Sequence, residues 1–290
     1  AGTGGRQARA DPRQLHRPRR GRAVTRRSRR ALLGAALGLP WPALAQRQAG
    51  ACAGPVFLTI DTGWGREAEQ IAGILRRRGV RATLFVADEK THRGDTSLSE
   101  GWAPFWRARA AEGHVFASHT WRHWYFRGDP APGRVRYASR QGAGAEVLDG
   151  PSLCAELTRP VARLREMVPG AVVLPLWRAP GGITTPNAVA MAAACGLRHQ
   201  GWTAGGFWGD ELDATAHPNA ALARRAIERT RPGEVVVIHW GVRSRRDPFA
   251  AVLEGVIEGL QARGLCFAPL PPEGVGAMPA ALAPTAPRGA

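Results

Sequence analysis

Val115-Phe116-Ala117-Ser118-His119-Thr120-Trp121-Arg122-His123 reads as a short apolar run that ends in a pair of histidines. The run Val115–Ser118 predicts a buried strand. The imidazoles stand four residues apart, so a chain that turns between them can aim both at one centre. Neutral imidazole is the commonest protein ligand for a borderline metal such as zinc. A His-x-x-x-His pair alone also fits one capping and one surface histidine. Its meaning depends on what stands at the ends of the other apolar runs.

Val56-Phe57-Leu58-Thr59-Ile60 is the first such run and ends at Asp61-Thr62-Gly63-Trp64-Gly65. A helix follows, with Ile71, Ile74 and Leu75 at helical spacing and Arg76-Arg77-Arg78 in a last turn that favours cations. Arg81–Val86 is the second strand, and Asp88–Gly101 a polar loop before a helix from Trp102 to Glu112. After the histidines, residues 124–150 show little periodicity and read as a long loop of the kind that is usually functional or mobile. Ser152 is the expected N-cap of a helix ending near Met167. Strands are expected at Val172–Trp177, Leu197–Thr203, Glu234–Ile238 and Leu265–Leu270, with helices from Thr185, over Asn219–Arg229 and over Pro248–Arg263 between them. About seven strand–helix alternations predict a parallel sheet, closed as a barrel or doubly wound. No Gly-x-Gly-x-x-Gly follows the first strand, which disfavours a dinucleotide fold. Polar groups collect at strand ends: Asp61, His119 and His123, Arg178, and His239. In a parallel barrel those ends share one face, where active sites sit.

The chain has 290 residues and a formal net charge of +17. Eleven Arg and one Asp in residues 1–45 hold +10 of that charge, leaving +7 for the rest. The basic excess therefore sits mainly outside the folded region, and no nucleic-acid partner is drawn from it. Arg29-Arg30, the apolar run Ala31–Leu39 and the Ala43-Leu44-Ala45 site predict a twin-arginine export signal behind a disordered leader. The apolar run is too short for a stable membrane anchor. The expected division is leader and signal over 1–45, a catalytic domain over 46–272 and a flexible Pro/Ala-rich tail over 273–290, with a periplasmic or extracellular destination. Cys52, Cys154, Cys195 and Cys266 match no metal cluster; they are either buried free thiols or, in an exported protein, paired in one of three ways, and sequence does not choose among these.

The strand-end motifs resemble those of the polysaccharide deacetylases, the NodB-homology enzymes of carbohydrate esterase family 4. Thr59-Ile60-Asp61-Thr62-Gly63 resembles the family's Thr-Phe-Asp-Asp-Gly. His119-Thr120-Trp121-Arg122-His123 matches His-Ser/Thr-x-x-His, Arg178-Ala179-Pro180-Gly181-Gly182 matches Arg-x-Pro-x-Gly, and Val237-Ile238-His239 resembles Leu-x-His. The resemblance implies an α/β fold, a distorted (β/α)7 barrel, and metal-assisted removal of acetyl groups from an N-acetylated glycan. It implies Asp61 as general base, Arg178 orienting it, His239 as general acid, and His119 and His123 as ligands of a divalent metal, zinc by ligand type. Two positions depart from the pattern. Thr62 stands where the family has a metal-binding Asp, so the expectation is a weakened site: two His plus water, or a set completed by Asp61 or Thr62. Gly205 stands where the fourth motif has its Asp, and Asp210 is the expected carboxylate orienting His239. Among the ten Trp, Trp64, Trp202 and Trp240 are expected to line a sugar-binding groove. The competing expectations are a glycan-binding protein of the same fold with impaired catalysis, and a metal-free amidohydrolase of a small non-sugar amide.

Overall fold

The computed structural model describes residues 52–140 and 142–276. The leader, the twin-arginine stretch and its cleavage site, and most of the Pro/Ala-rich tail lie outside the described residues. The first part of the expected tail is packed: the Arg198 guanidinium donates to Glu273 O, and the Val275 amide to Gln200 Oε1.

In chain order the elements are β1 (Gly54–Asp61), α1 (Ala68–Arg78), β2 (Thr83–Val86), a 3₁₀ turn (Glu100–Trp102), α2 (Ala103–Ala111), β3 (Val115–Ser118), β4 (Tyr125–Ala131), β5 (Arg134–Ala138), β6 (Ala145–Leu148), α3 (Gly150–Met167), β7 (Val173–Trp177), α4 (Pro186–Ala194), β8 (Arg198–His199), α5 (Asn219–Arg229), β9 (Val235–His239), α6 (Ala250–Ala262) and β10 (Leu265–Phe267). Strands β8-β7-β3-β2-β1-β9 lie side by side, all parallel, and β10 joins the first residues of β1. Beyond β8 the chain crosses to the free edge of β9, where Phe207 bridges Val237. Gly206 permits that approach, because a Cβ there would overlap Val235 O. The result is a distorted barrel. Its central strands are apolar on both faces, as parallel strands covered by helices must be: all four residues of β2 are buried. The core packs Leu58, Ile60 and Leu84 against Ile71 and Leu75 of α1 and Leu253, Ile257 and Leu260 of α6.

Three sequence expectations change. Residues 124–150 are not a loop but chiefly a three-stranded antiparallel sheet, β4-β5-β6. The expected fifth strand shrinks to two residues, since only Arg198 and His199 find partners on β7. Asp149, not Ser152, caps α3, accepting from the Ser152 amide at 3.1 Å. The four cysteines pair as Cys52–Cys266 and Cys154–Cys195. Among the described residues no helix is long and apolar enough to cross a membrane.

Candidate active site

Register places the chemistry. Asp61 of β1 lies beside His239 of β9, and Val86 of β2 pairs with Ser118, which pairs with Trp177 of β7. The ladder runs one step past the strands: the Thr62 amide donates to Phe85 O, His119 to Val86 O and Arg178 to Ser118 O. Five chain segments thus deliver their first loop residues to one rim.

Asp61 and Arg178 are both buried and meet at 2.8 Å through Oδ1 and Nη1. The guanidinium is pinned by Thr59 Oγ1 and by the carbonyls of Gln200 and Gly201, and lies over the Phe85 ring. Burial by itself would raise the Asp61 carboxyl. The Arg178 charge, with His119 and His239, outweighs it and holds the carboxyl below its usual range. Asp61 is therefore ionised at neutral pH, with Oδ2 facing His119 Nε2 at 3.5 Å.

His119 donates from Nδ1 to Arg178 O at 3.0 Å, which leaves Nε2 as its lone-pair atom. Burial lowers its pKa to about 4, so the ring is neutral at pH 7. His123 Nε2 stands 3.2 Å from His119 Nε2. The turn between them is unusual: Thr120 and His123 have φ of 67° and 54°, the only positive values outside glycine among the described residues. A polar network holds it. The His123 amide donates to Thr120 Oγ1, the Trp124 amide to the Tyr137 hydroxyl, and the Arg122 amide to Glu156 Oε1. The Tyr137 hydroxyl donates in turn to Glu156 at 2.9 Å and lies 3.0 Å from Thr120 Oγ1.

Glu89 joins this pair from the loop after β2. Its carboxylate, His119 and His123 each offer a ligand atom, and the three atoms lie within 4.8 Å of one another. The donor set, two neutral imidazoles and a carboxylate, suits a divalent ion of the zinc type. Two nitrogens bound to one tetrahedral zinc at ~2.0–2.1 Å are about 3.3 Å apart, close to the observed 3.2 Å. Thr62 lies beside Glu89. Its hydroxyl donates to Glu89 Oε1 at 2.7 Å and accepts from the Ala87 amide.

On the opposite side of Asp61, His239 Nδ1 is 3.1 Å from Asp210 Oδ2, which also accepts from the His239 amide at 2.7 Å. Burial opposes the imidazolium, but the Asp210 charge and hydrogen bond exceed that effect and raise its pKa to about 10. Nδ1 is thus the carboxylate-bound donor, and Nε2 carries the second proton. Of the three tryptophans expected in the groove, Trp64 and Trp202 are half-buried at the rim. Arg243 covers Trp64, and Trp202 stacks on Phe207. Gly182 keeps room for Trp202, since a Cβ there would come within 2.6 Å of its ring. Trp240 is a correction: it is 2% exposed and packs on Phe105 and Trp106 in the core. β9 ends at His239, and the chain bends at Trp240.

Three residues of this site escaped the sequence reading. Tyr137 and Glu156 carried no motif. Glu89 stands three residues beyond the second apolar run, inside the polar loop from Asp88 to Gly101.

A buried ionised carboxylate, an imidazole–carboxylate cluster fit for a divalent ion and an acid-paired histidine, all on the C-terminal rim of a parallel barrel, define a hydrolase site. Residues 49–199 match the family described as polysaccharide deacetylase, and the chain belongs to that family. A chitooligosaccharide deacetylase of Azorhizobium caulinodans is 24% identical over 227 residues, 74% of this chain and 92% of that protein. A family 4 carbohydrate esterase from Streptomyces lividans, solved in complex with acetate, superposes with a TM-score of 0.54 at 22% identity, over 79% of this chain and 100% of that one. A family 4 acetyl xylan esterase from Clostridium thermocellum, solved with a cobalt ion, gives 0.55 at 18% identity, over 74% and 87%.

Proposed function

We propose that this protein hydrolyses the N-acetyl groups of a glycan, with Asp61 as general base and His239 as general acid. One observation carries the reading: an ionised Asp61 lies between the Glu89–His119–His123 cluster and the His239–Asp210 pair. The relatives named above, a chitooligosaccharide deacetylase and two carbohydrate esterases, support an acetylated sugar as substrate.

Amide hydrolysis needs a nucleophile at neutral pH, charge stabilisation of the tetrahedral oxyanion and a proton for the departing amine. Glu89, His119 and His123 would hold a divalent cation, which would supply electrophilic activation of the carbonyl and of water. Asp61 takes the proton of the attacking water on Oδ2, while Arg178 fixes Oδ1 and keeps the carboxylate ionised until it acts. His239 gives its Nε2 proton to the sugar nitrogen and keeps its Nδ1 proton, which it donates to the Asp210 carboxylate, whose charge balances the imidazolium before transfer. Trp64 and Trp202, half-buried at the rim and backed by Arg243 and Phe207, stand where a pyranose would enter. The twin-arginine leader and the paired cysteines support export to the periplasm or beyond.

The test is acetate release from N-acetylchitooligosaccharide by the zinc-loaded protein. Asp61→Asn keeps the size and one hydrogen-bond acceptor but cannot take a proton, and is expected to lower release by at least ~10²-fold. Tight glycan binding without release by the wild type would replace this reading with that of a binding protein.

A further inference from the structure

We propose that Glu89 is the carboxylate ligand of the metal site and that Thr62 is its positioning residue. The ligand has moved from the end of β1 to the loop after β2. This rests on the metal-assisted reading of the site, and it replaces the weakened site expected from Thr62.

Four observations converge. Glu89 is the carboxylate whose oxygen shares a 4.8 Å cluster with both histidine nitrogens. Its Oε1 is 3.8 Å from His123 Nε2, and among the described residues no Arg or Lys side chain pairs with it. Its backbone is clamped: the Glu89 amide donates to Ser97 Oγ, the Ser97 amide returns to Glu89 O, and Ser97 Oγ donates to Ala87 O. The loop thus has a fixed geometry at the point where the side chain leaves. Finally, Thr62 is 2% exposed and its hydroxyl proton has one acceptor, Glu89 Oε1 at 2.7 Å. The Ala87 amide occupies the hydroxyl's acceptor side, so the proton must point at the carboxylate. A hydroxyl that donates in this way orients a carboxylate ligand without competing for the ion.

Positions 62 and 89 therefore reach the same point in space from different strands. One carboxylate is needed there, and either position can carry it. A carboxylate at 62 is expected to restore a site that has lost Glu89 and to add nothing to a site that retains it.

The experiment is zinc affinity of the chelator-stripped protein, measured by competition with a chromophoric chelator, together with the visible spectrum of the cobalt form. Glu89→Gln is near-isosteric and is expected to weaken zinc by at least ~10²-fold and to alter the cobalt bands. Thr62→Asp is expected to recover most of that loss in the Glu89→Gln background, and to give no gain in the wild-type background, where it removes the hydroxyl that orients Glu89. Thr62→Val keeps all three donors and is expected to lose about tenfold, whereas Thr62→Ser stays within about threefold. Wild-type affinity in Glu89→Gln overturns the ligand assignment. An equal gain from Thr62→Asp in both backgrounds shows two independent positions and also overturns it. Equal losses in Thr62→Val and Thr62→Ser overturn the positioning role. Acetate release is scored separately. Glu89-dependent zinc binding without release removes the deacetylase reading and leaves this one. Release with Glu89-independent zinc binding does the reverse.

Discussion

A histidine that protonates a leaving group must keep its proton until the bond breaks, and Asp210 is what makes His239 do so. The carboxylate accepts from both the ring and the amide of His239, and the imidazolium persists to about pH 10. Asp210→Asn leaves a hydrogen-bonding group of the same shape but removes the charge. The alkaline limb of kcat/KM is expected to move from near 10 toward the ordinary histidine value of about 6.5. The same change has a signature in stability. His239 holds its proton more tightly in the fold than in the unfolded chain. That contribution is complete below about pH 6.5 and is lost as pH rises toward 10. Melting curves should therefore separate wild type from Asp210→Asn at neutral pH and converge at high pH; parallel curves would show that the pair does not set the proton affinity. At this scale the sequence was readable wherever a polar residue followed a strong apolar run, which includes Asp61, His119, Arg178 and His239. Glu89 does not stand in such a place, because it lies within a polar loop. Distance explains it: a ligand three residues past its strand depends on loop geometry, and the Ser97 clamp that fixes this loop cannot be read from spacing.

The element that decides whether the two histidines meet is the turn after β3, and it is held from outside. Thr120 and His123 occupy left-handed backbone, which costs a non-glycine residue of order 1 kcal/mol or more. The offsetting bonds come from Tyr137 on β5 and Glu156 on α3. Tyr137→Phe removes the hydroxyl that accepts from the Trp124 amide and donates to Glu156, leaving buried groups unpaired. A loss of about 1–3 kcal/mol in unfolding free energy is expected. Zinc affinity should fall as well, since His123 loses its support, while the Asp61–Arg178 pair is untouched. Unchanged zinc affinity with the full stability loss would make the network merely structural. This also explains why residues 124–150 gave no strand signal. β4 breaks register twice, after Phe126 and after Gly128, and β5 buries only Val135 and Tyr137. Two inward residues per strand are too few for a period-2 pattern to stand above polar background. The small sheet is nevertheless what carries Tyr137 to the active-site turn.

On the scale of the whole molecule, the barrel closes where no strand was legible. Thr203-Ala204-Gly205-Gly206-Phe207 has few apolar residues, and it pairs with β9 because Gly206 fits against Val235, not because a hydrophobic pattern asks for a strand. Closure of this kind, made by a glycine-rich segment, is helped by covalent ties elsewhere, and the two disulfides have unequal reach. Cys52–Cys266 links the start of β1 to β10 across 214 residues, whereas Cys154–Cys195 joins α3 to the end of α4 across 41. Loop-closure entropy in the unfolded chain gives upper limits of about 5 and about 4 kcal/mol for the two. Cys52→Ser/Cys266→Ser is therefore expected to lower unfolding free energy more than Cys154→Ser/Cys195→Ser, by about 1 kcal/mol. The comparison is chemical denaturation of the oxidised wild type and the two double variants at one pH. The reverse order would mean that the α3–α4 tie stabilises through the folded packing around α3, where Glu156 supports the histidine turn. In that case Cys154→Ser/Cys195→Ser should also weaken zinc binding, which the β1–β10 tie, far from the rim, is not expected to do.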